Sequence, residues 1–486
     1  MSATKRLAAA LALAAVAACG HGRAPLERGA VTTPLAAAPG APAWTASDVQ
    51  ALRRQLAAVL GASALATSGI AIVDADGRPL FERRDLAPMT PASTFKLLVG
   101  TTALDVLGPA HRFVTTFESD EDPSDGRIDG DLYLVGGGDP TLTSDDLRGG
   151  AGAVKRDGVR IVTGNLVADA TMFSGPEVNK AWDPDDLQYG YAAGTSALSL
   201  DQGTVEFHLV PESVGAPARV DVRPRSDAVQ VAGSPITGYA TLLSITRDAE
   251  RNRFVFDGRI AAGAEQSFWR PVTEMPLYAA EVARSMLARR GVIVEGAART
   301  GVAPVVPHVL WRHDSPSLAA IVHQMWLESN NHFAEQLLRA LGALRGAGTE
   351  ANGAVVERAE LKRDGVPENG LRVVDGSGLA PTDRVAPLTL ATLLARAALG
   401  PDGSVVVNAL PRVGIEGTVR YRQLTDALGR VRAKSGHIED VNSLAGYVQT
   451  RRHGRIAFAF IVNDRRADDG PVDDGIDKAL DVLARF

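Results

Sequence analysis

Thr90-Pro91-Ala92-Ser93-Thr94-Phe95-Lys96-Leu97-Leu98-Val99-Gly100-Thr101-Thr102-Ala103-Leu104 is the stretch from which the rest of the chain is read. Proline holds the residue before it in extended conformations and is well tolerated in a helix's first turn. Pro88 and Pro91 therefore predict an extended run that ends here and a buried helix that begins at Ser93. Ser93 then sits near a helix N-terminus, where free backbone N–H groups can hold a negative oxygen. Lys96, three residues on, shares its helix face and can reach the hydroxyl. Serine is a poor nucleophile without a base. A lysine desolvated by apolar neighbours and close to another cation can lose its proton near neutral pH and act as that base; Phe95, Leu97 and Leu98 would supply the apolar surroundings. Taken alone the pair is weak, because such a spacing is most often a solvated helix face and it recurs at Ser2 and Lys5.

Two later motifs change its weight. Ser329-Asn330-Asn331 lies between helical runs expected over Ser317–Glu328 and His332–Leu341, in a turn that exposes Ser329 and Asn331 to a cleft. The serine hydroxyl could pass a proton from the lysine to a leaving amine, and the Asn331 amide could hold a peptide carbonyl. Lys434-Ser435-Gly436 is expected to end a short strand, Arg430–Ala433. Lys434 and Ser435 suit a terminal carboxylate, Lys434 would be the second cation beside Lys96, and Gly436 would let a substrate approach the backbone. An oxyanion hole needs two backbone donors, here Ser93 and His437; the His437 imidazole itself reads as a neighbour of the site. Separately these motifs are a cap and a turn. In this order, S-x-x-K, S-x-N and K-[TS]-G form the constellation of active-site-serine penicillin-interacting enzymes. No G-x-S-x-G elbow, H-E-x-x-H helix or P-loop competes, and nine His with one Cys show no metal-ligand spacing, so neither metal nor cofactor is expected.

The 486 residues exceed one ordinary domain, and 45% hydrophobic residues suffice for sizeable cores. A net charge of −6 argues against nucleic acid as a partner. Lys5-Arg6 followed by apolar Leu7–Ala15 read as a signal peptide over residues 1–18, whose removal with those two cations turns −6 into −8. Val16-Ala17-Ala18-Cys19 resembles a bacterial lipobox, with Cys19, the sole cysteine, as the lipidated N-terminus; cleavage after Ala15-Val16-Ala17 is the alternative. Either way the chain is expected to be exported to the periplasm, lipid-anchored to the outer or inner membrane in the first case. Residues 19–45, rich in Ala, Pro and Gly, read as a flexible tether.

A helix is expected over Asp48–Leu60 and a hairpin over Gly69–Arg83, turning at Asp74-Ala75-Asp76-Gly77. Between 108 and 304 strands dominate (Asp131–Val135, Arg160–Val167, Thr204–Val210, Arg253–Ile260) with one helix at Leu277–Arg290. Helices return from 305, with strands at Leu371–Val374, Leu444–Thr450 and Arg455–Val462 and a closing helix at Gly475–Phe486. The expected fold is α/β (α+β): a discontinuous catalytic domain, 46–107 plus 305–486, with an antiparallel sheet flanked by helices, interrupted by a mostly β insertion over 108–304.

With these motifs the chain resembles the low-molecular-mass class C penicillin-binding proteins, the D-alanyl-D-alanine carboxypeptidases/endopeptidases, which share the serine β-lactamase/DD-peptidase-like core. The likeness extends to Gly130–Leu142, Trp182–Leu200, Ala334-Glu335-Gln336-Leu337-Leu338, Asp375-Gly376-Ser377-Gly378-Leu379 and Glu416-Gly417-Thr418. The 233 positions between Lys96 and Ser329 fit the inserted domains of that family. The resemblance implies an acyl-enzyme on Ser93, peptidoglycan stem peptides as substrate, removal of terminal D-Ala and/or cleavage of D-Ala–diaminopimelate cross-links, and covalent inhibition by β-lactams. It also implies that Asp186 and Tyr191 contact the diaminopimelate side chain. Two departures stand out: Lys-Ser-Gly replaces the usual Lys-Thr-Gly, and Ala380-Pro381 follow Asp-Gly-Ser-Gly-Leu where an arginine normally completes the side-chain pocket, Arg384 being the nearest. The alternatives are a penicillin-binding cell-wall lipoprotein with little turnover, and a β-lactamase.

Overall fold

Helix α1 (Ala46–Leu60) opens on a capping box, the Thr45 hydroxyl accepting from the Asp48 N–H while the Asp48 carboxylate accepts from the Thr45 N–H. In the computed structural model, residues 41–61, 65–248, 252–263, 265–463 and 469–486 are described. The expected leader, Cys19 and the tether as far as residue 40 lie outside them. The end of that tether is part of the fold: Trp44 stacks on His453 at 4.2 Å, lies 5.7 Å from Phe486, and the His453 Nδ1–H donates to the Pro42 carbonyl. One aromatic ring gives this segment an apolar anchor that its Ala/Pro/Gly composition conceals.

Strands β1 (Gly69–Val73) and β2 (Pro79–Arg83) form the expected hairpin, whose turn is held by the Asp74 carboxylate accepting from the Asp76 and Arg78 N–H groups. A single 3-10 turn, Ala92–Phe95, then runs into α2 (Lys96–Leu107). Gly100 is needed there. A Cβ on it would stand 2.6 Å from the Trp326 ring, whose Nε1–H donates to the Lys96 carbonyl at 3.0 Å and so fixes the first turn of α2.

The chain now leaves for the insertion. Strands β3 (Val114–Ser119), β4 (Leu132–Gly136), β5 (Leu166–Asp169), β6 (Ala298–Thr300) and β7 (His308–Asp314) make one sheet in the order β6-β5-β4-β3-β7. Packed with it are α3 (Ser144–Arg156) and α4 (Met275–Arg289). Further sheets are built around Thr204–Val210 and around Arg253–Ala261. Three expectations need correction here. Helix α3 was not anticipated: a Thr143/Asp146 capping box starts it, and Gly150 gives room for Phe117 and Trp311, which a Cβ would meet at 2.9 Å. The single strand Arg160–Val167 is two pieces, Ile161–Val162 and Leu166–Asp169, broken at Gly164, whose Cβ would strike the Gly130 carbonyl. Strand β7 pairs with β3, so the chain stays in the insertion past 305, as far as Asp314.

On return come α5 (Leu318–Glu328), α6 (Asn331–Ala343), α7 (Glu350–Arg363), α8 (Pro387–Leu399), the short α9 (Gly403–Ala409), strands β8 (Val431–Ile438), β9 (Val441–Gln449) and β10 (Arg455–Asn463), and α10 (Asp469–Arg485). The central sheet is antiparallel in the order β8-β9-β10-β1-β2. Side chains alternate across it. Ile70, Ile72, Phe458 and Phe460 face Leu52 and Leu56 of α1 and Ile476 and Leu480 of α10. Ala71, Ala457 and Ala459 face the other way, toward Leu97 of α2, Trp326 of α5, Leu337 of α6 and Leu394 of α8. Small residues on that face let these helices lie close to the sheet. Leu371–Val374 is not a strand; only an isolated Arg372–Arg384 bridge forms. Strand β8 runs on to Ile438, so Lys434-Ser435-Gly436 lies within it, not at its end.

Candidate active site

The serine is delivered by a strained turn. Ala92 has φ +48°, a region that residues with a Cβ seldom occupy, and it precedes Ser93 directly. The turn is held by the Pro91 carbonyl, which accepts from the Thr94 and Ser443 hydroxyls. Strand β8 presses against it at Gly436. A Cβ there would lie 2.8 Å from the Ser93 nitrogen and from the Pro91 oxygen, so the space is taken up by the protein's own backbone. That is a different use of the glycine from the substrate access expected of it, and it brings the Ser93 N–H beside Gly436.

Lys96 is fully buried, and its Nζ has three acceptors: Ser93 Oγ at 2.8 Å, Asn331 Oδ1 at 2.6 Å and the Ser377 carbonyl at 2.7 Å. Burial lowers its pKa to about 7, against the opposing pull of Asp375, Glu335 and Asp383. The geometry decides what deprotonation does. Asn331 Nδ2 donates to the Tyr191 carbonyl at 2.9 Å, so Oδ1 must face the lysine. It and the Ser377 carbonyl can only accept. When the ammonium loses a proton, the two remaining N–H groups stay on those oxygens and the lone pair points at the Ser93 hydroxyl. The neutral amine would thus have its one open position facing the Ser93 hydroxyl. Asn331 is thus engaged at both ends by the protein, unlike the amide offered to a substrate carbonyl that was expected.

Ser329, the C-cap of α5 with φ +62°, accepts from Lys434 Nζ at 2.9 Å; the structure joins it to Lys434 and not to Lys96. Lys434 is also fully buried and donates to the Ser435 carbonyl at 2.5 Å. Burial first, and Lys96 second, hold its pKa well below the ordinary lysine value. For Lys96 it is burial, rather than the neighbouring cation, that lowers the pKa. The Ser435 hydroxyl pairs with that of Thr418 at 2.8 Å. His437 is half-exposed, its Nδ1 3.6 Å from an Asp469 carboxylate oxygen.

Asp186 and Tyr191 do come together, the Tyr191 hydroxyl donating to Asp186 at 2.7 Å with Tyr189 stacked alongside at 5.5 Å. Burial, then the acidic neighbours Asp183 and Asp185, outweigh that bond and raise the Asp186 pKa. Their segment reaches the centre through Tyr191–Asn331 and through Trp182, whose Nε1–H donates to Asp375 at 2.8 Å. Arg384 instead turns toward the nucleophile's turn, donating to the Thr90 hydroxyl and to the carbonyls of Pro381 and Asp383. Thr418 and the Ser377 carbonyl were not anticipated as site groups. Among the described residues no cluster of His, Cys, Asp or Glu suits a metal ion, and no helix is long and apolar enough to cross a membrane.

The D-Ala-D-Ala carboxypeptidase 3 (S13) family model matches residues 52–485. The chain is 34% identical to a D-alanyl-D-alanine carboxypeptidase of Actinomadura sp. (strain R39), over 90% of this chain and 86% of that one. It is 26% identical to the D-alanyl-D-alanine carboxypeptidase DacB of Haemophilus influenzae, over 77% and 80%. The crystal structure of penicillin binding protein 4 from Haemophilus influenzae superposes with a TM-score of 0.78 at 22% identity, covering 90% of this chain and 100% of that one. A family match over residues 52–485, added to a serine and two buried lysines brought together by the fold, leaves one conclusion: this chain belongs to the D-Ala-D-Ala carboxypeptidase 3 (S13) family.

Proposed function

We propose that this protein is a serine DD-peptidase that acts on peptidoglycan stem peptides through an acyl-enzyme on Ser93. The observation that carries the reading is Lys96 Nζ at 2.8 Å from Ser93 Oγ, with its other two hydrogens committed to carbonyl oxygens. Ser93 Oγ bonds to the D-Ala carbonyl carbon as its proton passes to Lys96, and the developing oxyanion is met by the N–H groups of Ser93 and His437. The C–N bond then breaks. The leaving amine takes a proton from the Ser329 hydroxyl, Ser329 regains one from Lys434 Nζ at 2.9 Å, and Lys96 makes good the loss by passing to Lys434 the proton it took from Ser93. Water then gives a proton to the neutral Lys96 as its oxygen bonds to the ester carbonyl carbon, and Lys96 hands that proton to Ser93 Oγ as the ester C–O bond breaks. Lys434, Ser435 and Thr418 hold the terminal carboxylate of the substrate, with Asp186 and Tyr191 along the diaminopimelate side chain. β-Lactams acylate Ser93 in the same way; the Haemophilus influenzae neighbour has also been crystallised complexed with a β-lactam.

A fluorescent penicillin should label the protein covalently and Ser93→Ala should abolish labelling with the circular dichroism spectrum unchanged; label on another serine would sink the assignment. Incubation with cross-linked and uncross-linked muropeptides, read by mass spectrometry, apportions endopeptidase and carboxypeptidase action, and slow release of penicilloate separates the peptidase from a β-lactamase. Export to the periplasm and lipidation at Cys19 complete the reading, and Cys19→Ala should move the protein from the membrane to the soluble fraction.

A further inference from the structure

Behind Lys96 lies a group of carboxylates with no part in the steps above. Glu335, Asp375, Asp383 and Glu357 are all buried. Three of them converge on one loop. Asp375 accepts from the N–H groups of Ser377 (3.0 Å), Gly378 (2.6 Å) and Ala380 (2.7 Å) and from Trp182 Nε1. Asp383 accepts from the Val374 N–H at 2.7 Å. Glu335 accepts from Gly376 (3.1 Å) and Ser377 (2.8 Å). The loop is wedged between two surfaces: a Cβ on Gly376 would meet the Ala334 carbonyl at 2.6 Å, and one on Gly378 the Ala92 carbonyl at 2.0 Å. Its product is one backbone oxygen, that of Ser377, aimed at Lys96 Nζ.

Glu335 stands four residues after Asn331 on α6 and so shares its helix face. One helix thereby governs both acceptors that orient the lysine, Asn331 by direct contact and Ser377 through Glu335. We propose that Glu335 is a positioning residue for the acylation step: by clamping the Gly376 and Ser377 N–H groups it holds the Ser377 carbonyl on Lys96, and so keeps the lysine lone pair on the Ser93 hydroxyl. This rests on Lys96 being the base that activates Ser93. The clamp needs an acceptor oxygen, not a charge. Burial, followed by the neighbouring Asp375, raises the Glu335 pKa, which fits a carboxyl used for its oxygen. Lys96 is faced by Asp375, Glu335 and Asp383 behind the loop, by the Lys434 side chain on β8, and by neutral Ser93 and Asn331.

The test is the acylation of full-length protein by a fluorescent penicillin, resolved into the dissociation constant of the initial complex and the first-order acylation constant, across pH. Glu335→Met keeps the volume and loses the oxygens; the acylation constant should fall about 100-fold while the dissociation constant moves less than about threefold. The ammonium loses an acceptor in that variant, so the acid limb of its profile should also move to lower pH, a shift that a general loosening of the fold would not produce. Glu335→Gln keeps an oxygen for the Ser377 N–H and should restore acylation to within about fivefold of wild type. Wild-type acylation in Glu335→Met, or losses as deep in Glu335→Gln as in Glu335→Met, would overturn the proposal. Should Glu335→Met not fold, Glu335→Asp withdraws the same carboxylate by one methylene and should lower the acylation constant about tenfold with the same shift of the acid limb; wild-type behaviour there overturns it equally. Ser93→Ala and Lys96→Ala run alongside. If they acylate normally, the reading of the base fails. If they are dead and Glu335→Met is normal, only the role of Glu335 fails.

Discussion

Two walls meet at the cleft, the α2–α6 wall that carries Lys96 and the β8 wall that carries Lys434, and each buries a lysine completely. Their surroundings differ in charge. Lys96 has three hydrogen-bond acceptors, and Asp375, Glu335 and Asp383 lie behind it to offset part of its burial, which leaves its pKa at about 7. Lys434 has the Ser329 hydroxyl and the Ser435 carbonyl, and no carboxylate among the described residues supports its charge; its pKa is held well below normal by burial and by Lys96. One wall is built to gain and lose a proton near neutrality. The other is short of negative charge until an anion arrives, and the terminal carboxylate of a stem peptide is such an anion.

The contrast breaks first at Lys96. Lys96→Ala should reduce acylation by a fluorescent penicillin by about 10²- to 10⁴-fold. In the wild type, the neutral lysine grows in as pH rises through its pKa, so the acylation constant should fall on the acid side of about 7 and level off above it. A rate independent of pH between 5 and 8, within about a factor of two, would place the base elsewhere. Lys434→Met probes the opposite wall. It should lower kcat/KM for a stem peptide by about 10- to 150-fold, the equivalent of about 1.5–3 kcal/mol for a charge-assisted hydrogen bond. Its Tm should hold or rise, because a buried amine whose charged form burial disfavours has been replaced by an apolar side chain; a marked fall in Tm would show that the lysine is compensated in the free enzyme.

Finer effects follow along the β8 wall. Ser435 lacks the methyl that would restrict its rotamer, and Thr418 takes up its hydroxyl at 2.8 Å. Thr418→Val should raise KM up to about tenfold with kcat nearly unchanged; a loss confined to kcat would argue against carboxylate binding there. The smallest effect is expected at Arg384. Its guanidinium is occupied with Thr90 and two carbonyls, so Arg384→Ala should change the preference for free over amidated diaminopimelate by less than about threefold, whereas Pro381→Arg should sharpen it several-fold. Collapse of a strong wild-type preference in Arg384→Ala would show that this arginine serves the pocket after all.

Ser93, Lys96, Ser329 and Lys434 were legible because their relations are local: a lysine three residues after a serine on one helix, a cap between two helices, a short motif in a strand. The α1 helix and the β1–β2 hairpin were legible for the same reason, since periodicity and turn residues are local properties. Helix α3 was not anticipated, and its Gly150 is explained only by the Phe117 and Trp311 rings packed on it; Trp44 was hidden by the composition around it. The third acceptor on Lys96 could not be found from sequence. The Ser377 carbonyl stands 281 positions away, and every residue carries a carbonyl, so no side chain marks which one will meet the lysine. Sequence determined which groups could do the chemistry. Tertiary packing alone decided where the lysine lone pair points, because that direction is set by backbone atoms common to all residues and aimed only by the fold around them.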